Sequence, residues 1–170
     1  MDILNPETKT FRRVKLSPNF NRILTMMLSG DDMWVGYFKN GLDMIGVSGL
    51  NFKHYSASDL GLDEHSVYAL YEDRVGQIWL GNAWGVFVGD KASKKFKRMD
   101  EFGLSFVMDI TEDSDGNIWV ATMGNGVFKY IPAANKIIHY LHNSMDEKSL
   151  SSNSVSSITE TLTGDIWFAT

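Results

Sequence analysis

The sequence predicts an all-β fold of β-propeller repeats, each of four antiparallel strands, present here as a partial propeller. Three observations predict it. Tryptophan recurs at a nearly fixed interval, each recurrence sits among strand-forming residues bounded by turn signals, and those strands are apolar on both faces.

Four of the five tryptophans anchor the repeat. The segments are Asp32-Met33-Trp34-Val35-Gly36, Gln77-Ile78-Trp79-Leu80-Gly81, Asn117-Ile118-Trp119-Val120-Ala121 and Asp165-Ile166-Trp167-Phe168-Ala169, spaced by 45, 40 and 48 residues. Glu72, Glu112 and Glu160 stand seven positions before the Trp in the last three copies, and Gly76, Gly116 and Gly164 three before it. Val67, Val107 and Val155 stand twelve before it, and Leu70, Ile110 and Ile158 nine before. A small residue follows two along, and a glycine (Gly41, Gly85, Gly126) six or seven along. The first copy fits once one residue is deleted ahead of Trp34, which sets Leu28 where Glu is expected.

Each element follows from this frame. The third copy is the plainest: strand one over Phe106 to Glu112, a tight turn at Asp113-Ser114-Asp115-Gly116, strand two over Asn117 to Thr122. Gly116 supplies the positive φ such a turn demands. Strand three runs Gly126 to Ile131, Pro132 to Asn135 turn the chain, and strand four runs Lys136 to Leu141. Ile118 and Val120 point one way and Trp119 the other, so the strand must be buried on both sides, as stacked blades provide. The expected division is a half blade at 1–16, blades at 20–57, 65–100 and 104–142, and a half blade at 154–170.

Composition excludes several functions. Sixteen basic against 21 acidic residues give a net charge of −5, which argues against a nucleic-acid partner. The basic stretch Lys91 to Arg98 lies between Asp90 and Asp100 and reads as a solvated turn. With no cysteine there is no disulfide, thiolate or Cys-based zinc site. No apolar run approaches the roughly 20 residues that span a bilayer, so no membrane contact is expected. The start Met1-Asp2-Ile3-Leu4 does not look like a signal peptide; the leader of an exported parent would lie upstream.

The string Val-x-x-Ile-x-Glu-Asp-x-x-Gly-x-Ile-Trp, at Val107 to Trp119 and closely at Val67 to Trp79, resembles the two-component-regulator propeller repeat. The connector Lys148-Ser149-Leu150-Ser151-Ser152-Asn153-Ser154-Val155 is also similar to that family. The resemblance implies the periplasmic sensor region of a hybrid two-component protein whose histidine kinase lies outside this segment. It further implies a role in polysaccharide-utilisation control, with an oligosaccharide as signal.

The repeated carboxylates Glu72, Asp73, Glu112, Asp113 and Glu160 recur once per blade at a strand end, where they can accept turn N–H groups. A catalytic pair would be singular, so no catalytic residue is expected. His54, His65, His139 and His142 lack metal-ligand spacing, and no phosphate loop opens a helix; no metal or cofactor is expected. Ligand contacts are expected instead on the loops that vary between copies: Tyr37, Lys39, Asn40, His65, Asn82, Trp84, Asn125 and Asn153. Trp84 is the tryptophan outside the repeat position, and an aromatic beside Asn and Lys suits a sugar. The alternative is that Trp84 packs against a neighbouring blade.

Two other functions stay open at this stage: a protein–protein scaffold, and a sialidase-like propeller enzyme. Against the enzyme, the five Arg (Arg12, Arg13, Arg22, Arg74, Arg98) hold unrelated repeat positions. The two half blades are complementary, so closure is expected within one chain or, preferably, by exchange in a homodimer.

Overall fold

A computed structural model describes residues 1–14 and 22–170. Positions 15, 16, 20 and 21 of the expected division lie outside these described residues. The fold is nearly all β, in five antiparallel sheets. Strands β1 (Asp2–Asn5) and β2 (Thr10–Arg13) form a hairpin. The first full blade is β3 (Ile23–Ser29), β4 (Asp32–Tyr37), β5 (Leu42–Gly46) and β6 (Phe52–Tyr55). The second is β7 (Ala69–Glu72), β8 (Gln77–Asn82), β9 (Gly85–Asp90) and β10 (Phe96–Arg98). The third is β11 (Val107–Glu112), β12 (Ile118–Thr122), β13 (Val127–Ile131) and β14 (Lys136–Tyr140). A last hairpin pairs β15 (Ser157–Glu160) with β16 (Ile166–Ala169). The hairpin sheets do not pair with each other.

Among the described residues three short segments are helical: 3-10 turns at Asp100–Phe102 and Pro132–Ala134, and one α-helical turn. The connector after the first blade makes a single helical turn, α1 (Ala57–Leu60), closed by a Ser56–Asp59 capping box and a left-handed Gly61. It buries Ala57 and Leu60 under the seam between the first two blades.

The two-sided apolar strands resolve into seams between successive sheets. Trp34, Leu42 and Met44 of the first blade pack on Val67, Leu70, Ile78 and Leu80 of the second. Trp79 and Val86 meet Val107, Ile110, Ile118, Val120 and Phe128 of the third. Trp119, Ala121 and Val127 meet Val155 and Ile158 of the last hairpin. Strand β12 thus feeds two seams, Ile118 and Val120 backwards and Trp119 forwards. Every fully buried Leu, Ile, Val or Phe contributes about 1.5–3 kcal/mol, so the seams hold the stack together. Trp167 differs: it is 67% exposed, because no described sheet covers its face of β16.

The small residue two along from each Trp has a physical reason. A Cβ added to Gly36 would meet Val67, and one added to Gly81 would collide with Val107, the first-strand valine of the following blade. The first two seams leave room only for Gly at this position, whereas the later copies carry Ala121 and Ala169. The register also explains the shortened first copy. Leu28 pairs with Met33 as Glu72 pairs with Ile78, and the missing residue falls in the turn, which runs directly from Ser29 to Asp32.

Gly126 carries a different constraint. Its φ is +65°, and a Cβ there would run into the Tyr140 carbonyl oxygen. Gly126→Ala is expected to lose about 2 kcal/mol, since the left-handed conformation alone costs about 1–2 kcal/mol. Urea unfolding checks this; a loss under about 0.5 kcal/mol would show that the turn relaxes freely.

Candidate functional site

The turn chemistry accounts for the repeated carboxylates first. Asp73 Oδ1 accepts the N–H groups of Val75 (3.1 Å) and Gln77 (2.8 Å), and Oδ2 accepts the Trp79 indole N–H at 2.8 Å. Asp113 repeats this with Asp115 N, Asn117 N and Trp119 Nε1, and adds both its oxygens to Asn117 Nδ2. Burial of Asp113 opposes its ionisation. The Asn117 and Trp119 side chains, the Asn117 N–H and Lys129 outweigh that and hold its carboxyl below the usual range.

Two of the three repeat glutamates, Glu112 and Glu160, act differently from the expected hairpin role. Glu112 accepts the Arg74 N–H at 2.9 Å and pairs with the Arg74 guanidinium, both in the turn of the preceding blade. Glu160 likewise takes Ser114 N and Ser114 Oγ, each at 2.7 Å. Each therefore latches one blade to the turn before it. The reason is reach: the longer side chain at the strand end extends past its own hairpin.

The candidate ligand residues lie on loops between strands two and three and on the following connectors. Lys39 is exposed at φ +61°, its N–H on Ser66 Oγ (3.0 Å) and its ammonium 5.1 Å from the Phe38 ring centre. Asn40 turns back to donate to the Phe38 carbonyl at 3.3 Å. His65 is exposed, and its carbonyl accepts from Gly41 N at 2.6 Å. Trp84 is 48% exposed, its N–H held by Asn82 Oδ1 at 2.8 Å. Asn125 Nδ2 donates to Ser105 Oγ at 2.9 Å, and its carbonyl accepts from His139 Nε2 at 2.8 Å. The Asn153 carbonyl accepts from Gly124 N (3.0 Å) and Gly126 N (2.8 Å), and its Oδ1 from His142 N (2.7 Å).

Two of the eight do not present side chains to solvent. Tyr37 is fully buried and donates to Asp43 Oδ2 at 2.8 Å, and burial pushes its phenol far above the ordinary tyrosine value. Asn82 is fully buried too. Both hold the third position after the repeat Trp, as does Thr122, and all three are 0% exposed. Strand two runs inside the sheet stack to that position, so the surface loop begins one residue later than expected. The remaining six fall into separate groups: Lys39, Asn40 and His65 at one loop, Trp84 at the next, Asn125 and Asn153 at the third. Among the described residues, no hydrogen bond or ring contact joins one group to another.

Other residues emerge only in three dimensions. Met108, Met123, Ser154, Val155, Ser156 and Thr170 line a largely apolar hollow of about 240 Å³ beside the Asn125–Asn153 loops. Tyr68, which follows Val67, and Phe106, which precedes Val107, meet edge to face at 4.6 Å. Their signal in the sequence was an aromatic beside the first-strand valine in two adjacent copies. The described residues contain no group of His, Cys, Asp or Glu arranged to hold a metal ion.

Residues 61–84 and 102–124 match the family model described as two component regulator propeller. No curated protein sequence matches the chain. The chain is similar to the extracellular domain of a hybrid two component system from B. thetaiotaomicron, with 18% identity and a TM-score of 0.71. That match covers 98% of this chain and 29% of the other. It is also similar to virginiamycin B lyase from Staphylococcus aureus, with 18% identity and TM-score 0.75, over 98% of this chain and 55% of that one. A third likeness is to PorZ, a bacterial surface component of the type-IX secretion system of Porphyromonas gingivalis, at 17% identity and TM-score 0.67, over 93% and 26%. At these identities the likenesses show the propeller fold. The chain spans under a third of the first of these structures.

Proposed function

We propose that this chain, which carries two-component-regulator propeller repeats at residues 61–84 and 102–124, is a ligand-sensing propeller segment from the periplasmic region of a hybrid two-component sensor, with an oligosaccharide as its signal. The match to that repeat carries the reading. The fold it shares with the extracellular domain of a hybrid two component system supports it. The histidine kinase of the parent lies outside this segment.

Binding rather than catalysis is supported by how the acidic side chains are used. Asp73 and Asp113 are committed to turn N–H groups and indoles, and Glu112 and Glu160 to the preceding blade's turn. The loop face keeps Trp84, Lys39, Asn40, His65 and Asn125 as a scattered set of aromatic and polar groups. Such a set stacks on the apolar face of a sugar and bonds its hydroxyls, with different loops touching different residues of a chain.

The test is a panel of plant and host oligosaccharides titrated against the protein by calorimetry, repeated with Trp84→Ala. One glycan class should bind, and the variant should bind it about tenfold more weakly, about 1.4 kcal/mol. No binding up to millimolar glycan, or equal affinity in the variant, would remove the reading. A protein-partner role is favoured by exposed Met123 (52%) and Leu104 (72%) on neighbouring loops. It predicts insensitivity to every glycan.

A further inference from the structure

In the second and third blades the repeat tryptophan's indole N–H meets a carboxylate, at 2.8 Å on Asp73 and 2.7 Å on Asp113. The first blade keeps the tryptophan and loses the acid. Ser29 pairs with Asp32 at the hairpin mouth, where Asp73 faces Gln77 and Asp113 faces Asn117. Serine therefore occupies the aspartate position, and its hydroxyl stops one bond short of where a carboxylate oxygen reaches. Trp34 and Ser29 are both 0% exposed, and neither Trp34 Nε1 nor Ser29 Oγ has a hydrogen-bond partner. In the sister blades these two positions meet, the indole N–H on the carboxylate, and a buried polar group left without a partner costs about 1–3 kcal/mol.

A lysine covers the ring in the first blade as in the third, although it comes from a different element. In the third blade Lys129 lies 4.8 Å over the Trp119 ring and 3.5 Å from Asp113 Oδ2. In the first, Lys94 from the second blade lies 5.3 Å over the Trp34 ring, and Lys91 donates to the Ser29 carbonyl at 2.7 Å. Asp32 and Asp90 partly offset these charges, whereas Lys53 adds to them. Lys94, Lys91 and Lys53 outnumber Asp32 and Asp90 among these neighbours, so the local excess is positive, and burial holds the Lys94 ammonium below the ordinary lysine value.

We propose that this hairpin binds a small monovalent anion of the halide class, seated between the Trp34 indole N–H and the Ser29 hydroxyl and balanced by Lys94 and Lys91. The ion takes the place that an aspartate oxygen holds in the other blades. A monatomic ion is favoured because the seat is only the difference between a serine and an aspartate side chain. The site stands apart from the loop face and does not depend on the sensor reading.

The experiment compares thermal unfolding in sodium chloride, bromide and gluconate at equal ionic strength, alongside anomalous diffraction from bromide-grown crystals. Tenfold above its Kd the halide should raise Tm by roughly 3 °C over gluconate, in a saturating manner. A bromide peak should lie about 3.3 Å from Trp34 Nε1, at a hydrogen-bonding distance lengthened by the ion's size. Ser29→Asp, which supplies its own carboxylate, should lose the halide dependence. Trp34→Phe, which keeps the ring packing but not the donor, should lose it as well. Identical melting in chloride and gluconate would overturn the proposal and leave water as the bridge. So would a halide effect that survives in both variants, or density without anomalous signal beside Trp34.

Discussion

Replacing Trp79 by alanine is expected to cost about 4–5 kcal/mol, and the same change at Trp119 about 3 kcal/mol, the two ends of the range for large buried aromatics. The order follows from the enclosure of each ring. Trp79 is 2% exposed, capped by Phe102, Tyr130 and Ile137 of the next blade and its connector, with the Tyr130 ring 5.8 Å away. Trp119 is 6% exposed, stacked on Tyr140 at 5.8 Å, and borders an open groove lined by Tyr140, Leu141 and Leu150. Truncating the enclosed ring leaves a cavity that rigid strands cannot fill, whereas the groove lets neighbours and water move in. Both variants also strand an aspartate oxygen. Against the 5–15 kcal/mol that holds most domains together, the Trp79 loss approaches global unfolding. Denaturant melts of both proteins check this, and a Trp79 loss below about 1 kcal/mol would mean that the seam is not a packed core.

The second large effect lies at Asp113. Asp113→Ala removes the acceptor of Asp115 N, Asn117 N, Asn117 Nδ2 and Trp119 Nε1, three of them on residues less than 9% exposed. At about 1–3 kcal/mol for each donor left unmatched, the expected loss is about 3 kcal/mol or more even if solvent reaches part of the turn. The same carboxylate gives stability a pH dependence of known sign. Its folded pKa lies below the unfolded value of about 3.9, so its contribution is fully present above that pH. It is lost as pH falls through the lower folded value. Wild-type stability should therefore drop below about pH 4, and Asp113→Ala should flatten that part of the profile. An unchanged acid limb in the variant would show that the hydrogen bonds do not depend on the charge.

Much of this fold was legible because its constraints are local and repeated. The Trp spacing, the turn glycines and the two-sided apolar strands are each demanded once per blade, so four imperfect copies reinforce one another. The placement of Leu28 at the repeat's Glu position was visible for the same reason, and its register opposite Met33 matches that of Glu72 opposite Ile78. The helical turn at Ala57–Leu60 was not visible, since four residues are too short for a period to register.

The loop face was legible only in part. Trp84, Lys39 and His65 could be placed by their departure from the repeat. Tyr37 and Asn82 could not, because polar residues at a strand end look the same whether the strand stops or continues inward. Their burial is decided by where the neighbouring sheet ends.

What the sequence determined by itself is the blade: four strands, their turns, and the residues each must bury. What only the tertiary structure decided is the traffic between blades. Glu112 and Glu160 reach the turn of the preceding blade, Gly36 and Gly81 make room for the valine of the next, and Lys94 crosses a seam to cover Trp34. Strand patterns specify contacts at short separation along the chain. Partners some 40 residues apart are chosen by how the sheets stack, and no single repeat encodes that angle.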